Sequence, residues 1–149
     1  MSVPATPAVP GFDHIFVIIM ENHSFSQIIG SADSTPDFGW ITPNMLDDMH
    51  DGTVAQGDTW LSQNVPALLS SPAFTTQRSL LFITWDENDG SSGNRVPTIV
   101  VSPYTAPGTR SSTGFSHYSL LRTAEELLAI PTHLERAATA PSMRTAFGL

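Results

Sequence analysis

Two apolar runs decide the fold: His14-Ile15-Phe16-Val17-Ile18-Ile19-Met20 and Ser79-Leu80-Leu81-Phe82-Ile83-Thr84-Trp85. Both have the length and composition of β-strands, and neither alternates cleanly, which indicates strands buried on both faces. The first run leads directly into Glu21 and Asn22, and the second into Asp86 and Glu87. Because ligands of an open α/β sheet bind beyond the carboxyl ends of its strands, the pattern predicts a hard-cation site at that edge.

The composition limits the classes of partner. The chain has 149 residues, a net charge of −8 and only 13% charged residues. All six basic residues are arginines, and none precedes Arg78, whereas residues 1–77 carry eight carboxylates. This distribution argues against a nucleic-acid partner, which requires a basic patch. An anionic substrate near the first half would need a metal ion, and the absence of cysteine excludes thiolate ligands and a cysteine nucleophile.

The N-terminal residues predict a tether rather than a folded element. Residues 1–11 contain three prolines and lack the charged start and apolar middle of a signal peptide, although such a tether could follow a removed signal. No apolar stretch reaches membrane-spanning length. The expected organisation is an extended tether over 1–11 and a single domain over 12–149.

The segment between the two strands predicts few regular elements. A short helix is expected over 24–29, followed by a long connection over 30–57 that is rich in glycine and proline. Asp58 is expected to cap a helix over 59–70, which Pro66 should kink or divide.

The second half predicts a third strand over 97–102 and a strong helix that begins at Ser116 or His117 and runs to about residue 129. Glu125 and Glu126 are expected to point outward from this helix, and a short final helix is expected over 141–147. The order of elements favours a reduced α/β sandwich with a mostly parallel sheet. Three strands are few for such a sheet.

Several polar residues could carry chemistry. Asp86, Glu87 and Asp89 could hold Mg²⁺, Ca²⁺ or Mn²⁺, although Asp-Glu-Asn-Asp-Gly is an equally good turn. His50 lies in an acidic loop, and His117 begins a predicted helix whose backbone N–H groups can hold phosphate oxygens. His14 and His133 are interpreted as structural. The sequence contains no Gly-x-Ser-x-Gly elbow, P-loop or Gly-x-Gly-x-x-Gly motif.

Five ordered blocks resemble a known family. Phe16-Val-Ile-Ile-Met-Glu-Asn-His-Ser-Phe25 resembles the opening motif of the bacterial phosphoesterase family, which includes phospholipase C and acid phosphatase and belongs to the alkaline-phosphatase-like superfamily. The second motif is matched by Leu81-Phe-Ile-Thr-Trp-Asp-Glu-Asn-Asp-Gly90. The other similar blocks are Asp48-Met-His-Asp51 with its following helix, Arg95-Val-Pro-Thr-Ile-Val-Val-Ser-Pro103, and His117-Tyr-Ser-Leu-Leu-Arg-Thr-Ala-Glu-Glu126.

The resemblance implies an α/β sandwich that hydrolyses phosphate esters with a divalent metal ion, whose identity it leaves open. By motif position, the metal ligands would be Glu21, Asn22, Asp86 and Glu87. His50 and His117 would contact the phosphate or support the groups that do. The substrate would be a small phosphate ester or a phospholipid head group, and members of the family are secreted or periplasmic.

One departure from the family pattern bears on activity. Family members carry a long segment between the Glu-Asn and Asp-Met-His-Asp motifs, which supplies a serine or threonine nucleophile. This chain has only residues 30–44 in its place, with the hydroxyls of Ser31, Ser34, Thr35 and Thr42. The alternatives are therefore a non-catalytic remnant that binds metal or phosphate, and a hydrolase of carboxyl esters. A reduced sheet with exposed edges also predicts self-association into a homo-oligomer.

Overall fold

A computed structural model describes residues 11–20, 35–91 and 93–149 of the chain. The described residues belong to two compact units. The first comprises residues 13–103, and the second comprises residues 104–149 with Gly11 and Phe12. The single domain predicted over 12–149 stays a prediction, as does the tether, of which only Gly11 is described. The helix predicted over 24–29 lies outside the described residues.

The first unit is built on a four-stranded sheet. Its strands are β1 (His14–Met20), β2 (Phe38–Ile41), β3 (Ser79–Trp85) and β4 (Thr98–Val101), in the order β2-β1-β3-β4. The central strand β1 runs parallel to β2 and β3, whereas β4 is antiparallel to β3. This arrangement confirms the predicted α/β class with a mostly parallel sheet.

Strand β2 is a strand that the sequence did not predict. Phe38, Trp40 and Ile41 are residue types that favour strands, but the run is only four residues long, includes Gly39 and lies in a segment rich in glycine and proline. Pairing with β1 makes the strand, since Ile15 pairs with Phe38 and Ile18 pairs with Ile41. The sheet therefore has a fourth strand, which removes the shortage of strands seen in the sequence.

Helix α1 spans Val54–Leu69 and begins five residues earlier than predicted. Its N-cap is Thr53 rather than Asp58, because Thr53 and Gln56 form a reciprocal capping box. The Thr53 hydroxyl accepts from the Gln56 N–H at 3.2 Å, and the Gln56 side chain accepts from the Thr53 N–H at 2.7 Å. The helix continues through Pro66 without dividing, and a short helix α2 (Pro72–Thr76) follows.

The core lies on both faces of β1 and β3, as predicted. On one face, alternate residues of the sheet pack with α1 and α2 in a single cluster: Phe16, Ile18, Met20, Ile41, Leu68, Ala73, Leu81 and Ile83. The intervening residues are also buried, among them Ile15, Val17, Leu80 and Phe82. His14 contributes to the fold, since its ring contacts the Pro36 carbonyl at 3.0 Å and the Gln77 side chain. The structural interpretation of this histidine is therefore confirmed.

We expect the ion pair at the start of β1 to make stability depend on acid pH. The Arg78 side chain donates to Asp13 and lowers the pKa of that carboxyl to about 2. Because the folded pKa lies below the ordinary value of 3.8, the stabilisation is present above about pH 4 and is lost as the pH falls toward 2. Both side chains are well exposed, so screening limits the contribution to about 1 kcal/mol.

This expectation is tested by urea unfolding of Asp13→Ala and of the wild-type protein at pH 7 and pH 2.5. The variant should be less stable at pH 7, and the difference should shrink at pH 2.5. An equal difference at both pH values would show that the ion pair does not cause it.

The second unit contains helix α3 (His117–Leu127), a 3₁₀ helix (Glu135–Thr139) and helix α4 (Arg144–Phe147). Helix α3 begins where the sequence predicts, although it ends two residues before the expected boundary. The predicted final helix is confirmed over its last four residues. It ends at Gly148, whose φ of 67° suits a left-handed cap.

The prediction that Glu125 points outward is wrong. Its side chain is buried and accepts hydrogen bonds from the His133 ring at 2.9 Å and the Leu134 N–H at 3.0 Å. The segment after α3 supplies these donors, which a helical periodicity cannot reveal. His133 is thereby confirmed as a structural residue.

The outward position predicted for Glu126 is also wrong. Burial raises its pKa, but hydrogen bonds from Ser142 and Arg122 outweigh burial, so the pKa lies below its usual value. The Ser142 hydroxyl donates at 2.7 Å, which ties α3 to the segment before α4.

Two further expectations concern membranes and self-association. Within residues 11–20, 35–91 and 93–149, no helix is long and apolar enough to span a bilayer.

Phe38 and Trp40 are exposed on β2, at one edge of the sheet, and Ile99 is exposed on β4 at the other. Such edges favour pairing with another chain, so self-association stays a prediction.

Candidate active site

Three strands of the first unit end at the same edge of the sheet. Because β1, β2 and β3 are parallel, Met20, Ile41 and Trp85 all lie at their carboxyl ends. Met20 pairs directly with Trp85, so β1 and β3 leave the sheet side by side. Glu21 and Asn22, which follow Met20 in the sequence, lie outside the described residues. The register shows only that the strands preceding the two acidic motifs end together.

The loop after β3 forms the turn that its sequence predicts, and the metal site stays a prediction. Asp86 and Glu87 are exposed directly beyond the strand. The next residues form a turn, in which the Asn88 side chain accepts from the Gly90 N–H at 2.8 Å. Asp89 accepts from the hydroxyl and the N–H of Ser91, and these bonds lower the pKa of Asp89. Asp89 therefore builds the turn, and the candidate ligands in this loop are the two carboxylates that precede it.

The loop after β2 is held by backbone hydrogen bonds. The Asn44 side-chain oxygen accepts from the N–H groups of Leu46 and Asp47 at 3.0 and 3.1 Å. The Asp51 N–H donates to the Met45 carbonyl at 2.8 Å, which closes the loop. Met49 adopts a left-handed φ of 78°. This segment, residues 42–53, is called the β2 loop below.

Two glycines allow the β2 loop to pack closely. A Cβ atom at Gly52 would lie 1.7 Å from the Leu46 carbonyl oxygen, so only glycine fits. A Cβ atom at Gly57 in α1 would lie 2.3 Å from the Met49 side chain. The loop is therefore packed against itself and against the start of α1.

Asp48 is the unusual residue of the β2 loop. Only 2% of its surface is exposed, and its Oδ1 accepts from the His50 N–H at 2.7 Å. Its Oδ2 is buried and has no hydrogen-bond partner among the described residues. Leaving such an acceptor unpaired costs about 1–3 kcal/mol, and more for a charged group. The sequence placed Asp48 in a motif but gave no reason to single it out, because its burial is a tertiary property.

His50 lies beside Asp48 at the surface of the β2 loop. Its side chain is about half exposed, at 52%, and Nδ1 lies 3.2 Å from the Asp51 carboxylate. A carboxylate that accepts from one ring nitrogen fixes the tautomer and orientation of the imidazole. His50 lies in the loop that follows the carboxyl end of β2, and its contact with phosphate stays a prediction.

The hydroxyls named as substitutes for the nucleophile lie in different places. Thr42 directly follows β2 at the carboxyl edge and is mostly buried. Thr35 precedes β2 and lies toward the opposite edge. Ser31 and Ser34 lie outside the described residues. Among the described hydroxyls of this segment, Thr42 is the one at the edge where the acidic motifs begin.

His117 belongs to the second unit, where it is the first residue of α3 and is exposed. The preceding Ser116 N–H donates to the Ser119 hydroxyl at 3.1 Å, and the Ser119 N–H donates to the Ser116 carbonyl at 2.8 Å. The helix start therefore forms as predicted. A joint action of His117 and His50 on one phosphate stays a prediction.

The second unit also holds most of the cationic side chains. Four of the six arginines lie within residues 104–149, namely Arg110, Arg122, Arg136 and Arg144. Arg110 borders an open cleft of about 320 Å³, together with Ser111, Thr113, Phe115 and Thr145. The sequence did not single out this cleft, because its walls come from two separate stretches of the chain.

The donor atoms at the carboxyl edge are of the type that divalent metal ions prefer, but only two of the four predicted ligands are among the described residues. Asp86 and Glu87 supply hard oxygen donors, which suit Mg²⁺, Ca²⁺ or Mn²⁺. Outside the gaps at 1–10, 21–34 and 92, no group of three or more histidine, aspartate or glutamate side chains is arranged to hold a metal. A complete site would need the two ligands predicted at Glu21 and Asn22, and the ligand set stays a prediction.

The fold and edge just described define an α/β protein with polar loops at the carboxyl end of a mostly parallel sheet. The chain belongs to the Phosphoesterase family, whose model matches residues 31–131. His50, Asp86, Glu87 and His117 fall within the matched residues, whereas Glu21 and Asn22 precede them. The resemblance drawn from the five motifs is therefore confirmed at the level of the family.

Several relatives are similar to part of the chain. A phosphatidylinositol-3-phosphatase of Mycobacterium tuberculosis is 43% identical over 96 residues, which cover 64% of this chain and 31% of the relative. A phosphate-repressible acid phosphatase of Penicillium chrysogenum is 33% identical over 103 residues, covering 66% and 25%. A probable acid phosphatase of Kluyveromyces lactis is 34% identical over 105 residues, covering 68% and 24%. The chain thus spans less than a third of the length of these relatives.

Proposed function

We propose that this chain hydrolyses phosphate esters with the help of a divalent metal ion at the carboxyl edge of the sheet. The observation that carries the proposal is the pairing of Met20 with Trp85, which ends the two motif-bearing strands side by side. Membership of the Phosphoesterase family and the phosphatase names of three relatives support the class of reaction.

In this proposal, Glu21, Asn22, Asp86 and Glu87 hold the metal through oxygen atoms. A bound divalent cation polarises phosphoryl oxygens and lowers the pKa of a hydroxyl or water. The carboxylates of Asp86 and Glu87 neutralise part of its charge and fix its position at the strand end. The metal-binding role is consistent with the scarcity of cations in the first half of the chain, where an anionic substrate would otherwise meet only carboxylates.

His50 and His117 contact the phosphate group in this proposal. An imidazolium supplies positive charge to phosphate oxygens, and an imidazole can exchange protons near neutral pH. Thr42 is the hydroxyl we propose for the attacking group, with a water molecule as the alternative. The substrate is a small phosphate ester or a phospholipid head group, and the location of the protein is secreted or periplasmic.

The second candidate function is a phosphate- or metal-binding protein without turnover. It is favoured by one observation, the small share of each relative that this chain covers. A third, weaker candidate is hydrolysis of carboxyl esters in the same pocket.

These functions differ in a hydrolysis assay with chromogenic substrates. We expect the wild-type protein to hydrolyse a phosphate ester, to lose this activity with a chelator, and to regain it when a divalent metal is added. Binding of metal or phosphate without turnover would support the second function. Turnover of a carboxyl ester alone would support the third, and phosphate ester hydrolysis that survives the chelator would refute the role of the metal.

A further inference from the structure

The buried carboxylate of Asp48 is not required by the fold of the β2 loop. Its Oδ1 accepts one backbone hydrogen bond, from His50 at 2.7 Å. Asn44 performs the same task in the same loop, where its amide oxygen accepts two backbone hydrogen bonds. An amide at position 48 would therefore satisfy the turn. The carboxylate instead leaves Oδ2 buried without a partner among the described residues.

No described cationic side chain compensates this charge. The first unit contains two arginines, Arg78 and Arg95. Arg78 pairs with Asp13. Within the described part of the chain, no ion pair involves Asp48. A buried carboxylate in this state lowers stability, which points to a use other than holding the fold.

The group nearest along the chain that could use the charge is His50. The hydrogen bond from its N–H to Asp48 Oδ1 fixes the backbone of His50, and the left-handed φ of Met49 lies between the two residues. Other acidic groups belong to the same loop or to the helix packed against it. Asp51 contacts Nδ1 of the ring at 3.2 Å, and Asp47 accepts a hydrogen bond from Asn44. Helix α1 packs on Met49 through Gly57, and Asp58 is the next residue of that helix.

We propose that Asp48 is a positioning residue for His50: it fixes the backbone of His50, and its unpaired charge favours the imidazolium that binds phosphate. This inference rests on the proposed phosphate-contacting role of His50. An imidazolium is favoured by a nearby negative charge, particularly one that is buried and poorly screened. Asparagine at position 48 would satisfy the turn equally well but would carry no charge. The loop therefore retains a carboxylate at a cost in stability.

The decisive variant is Asp48→Asn, which keeps the Oδ1 acceptor and removes the charge. Its melting temperature should equal or exceed that of the wild-type protein, by up to about 3 °C. Inorganic phosphate should bind about tenfold more weakly, and the NMR titration midpoint of the His50 ring, assigned with His50→Gln, should move to lower pH. Asp47→Asn is the matched control, because it removes a carboxylate of the same loop that Asn44 engages, and it should change these three quantities much less.

Opposite results would overturn the inference. If Asp48→Asn melts at a lower temperature and His50 titrates as in the wild-type protein, Asp48 has a structural role only. Equal effects of Asp47→Asn and Asp48→Asn would also refute it, since the general acidity of the loop would then suffice. Wild-type protein that binds no phosphate would refute the proposed function, and the melting and NMR comparison would still decide the role of Asp48.

Discussion

Replacing Gly52 by alanine is expected to lower the free energy of unfolding by about 3 kcal/mol or more. The added Cβ atom would lie 1.7 Å from the Leu46 carbonyl oxygen and 2.6 Å from its carbonyl carbon. Both are backbone atoms, so no flexible side chain can move aside. The β2 loop would have to open, and the contacts that place His50 at the carboxyl edge would be lost with it.

Urea unfolding measures this loss, and Gly114→Ala is the control. Nothing lies within 4 Å of a Cβ atom at Gly114, and its φ is not in the left-handed region. Alanine there should change stability by only about 0.5 kcal/mol, or raise it slightly through the unfolded chain. If Gly52→Ala were as stable as Gly114→Ala, the close packing of the β2 loop would be wrong.

Replacing Asp86 by alanine is expected to reduce metal-dependent hydrolysis of a phosphate ester by about 100-fold or more. A bound cation contributes several kcal/mol of charge stabilisation in the transition state, and about 3 kcal/mol corresponds to a factor of 100 in rate. Glu87→Ala should give a comparable loss. Glu21→Ala, directly after the first apolar run, should do the same.

Asp89→Ala is the matched control, because Asp89 lies in the same acidic loop but holds Ser91 in the turn. It should keep most of the activity. Metal binding, followed as a rise in melting temperature on adding Mg²⁺, Ca²⁺ or Mn²⁺, gives a readout that does not depend on turnover. If Asp86→Ala and Asp89→Ala behaved alike in both measurements, Asp86 would not be a metal ligand.

Local sequence was sufficient where an element carries its own signal. The strands β1 and β3 are continuous apolar runs buried on both faces, and α3 begins at its predicted cap. The five motifs gave the family, which the match over residues 31–131 confirms. Such features depend on burial pattern and residue order, which the sequence records directly.

Other features depend on contacts between distant residues. Strand β2 is too short to be predicted from its own four residues, and its pairing with β1 fixes it in the sheet. Glu125 is buried because His133 and Leu134, eight and nine residues later, return to it with donors. The helical periodicity of α3 predicted that Glu125 lies at the surface. That prediction assumed a carboxylate without partners, which would have to remain in water.

For this protein, the sequence alone determined the α/β class, the two acidic motifs that follow its central strands, and the family. Tertiary structure decided that β1 and β3 end side by side, and that Asp89 holds Ser91 in the turn that follows Asp86 and Glu87. It also decided that Asp48 is buried with an oxygen that no described residue pairs. The physical reason is that strand register and burial arise from pairing and packing between distant segments, whereas a motif is a property of adjacent residues.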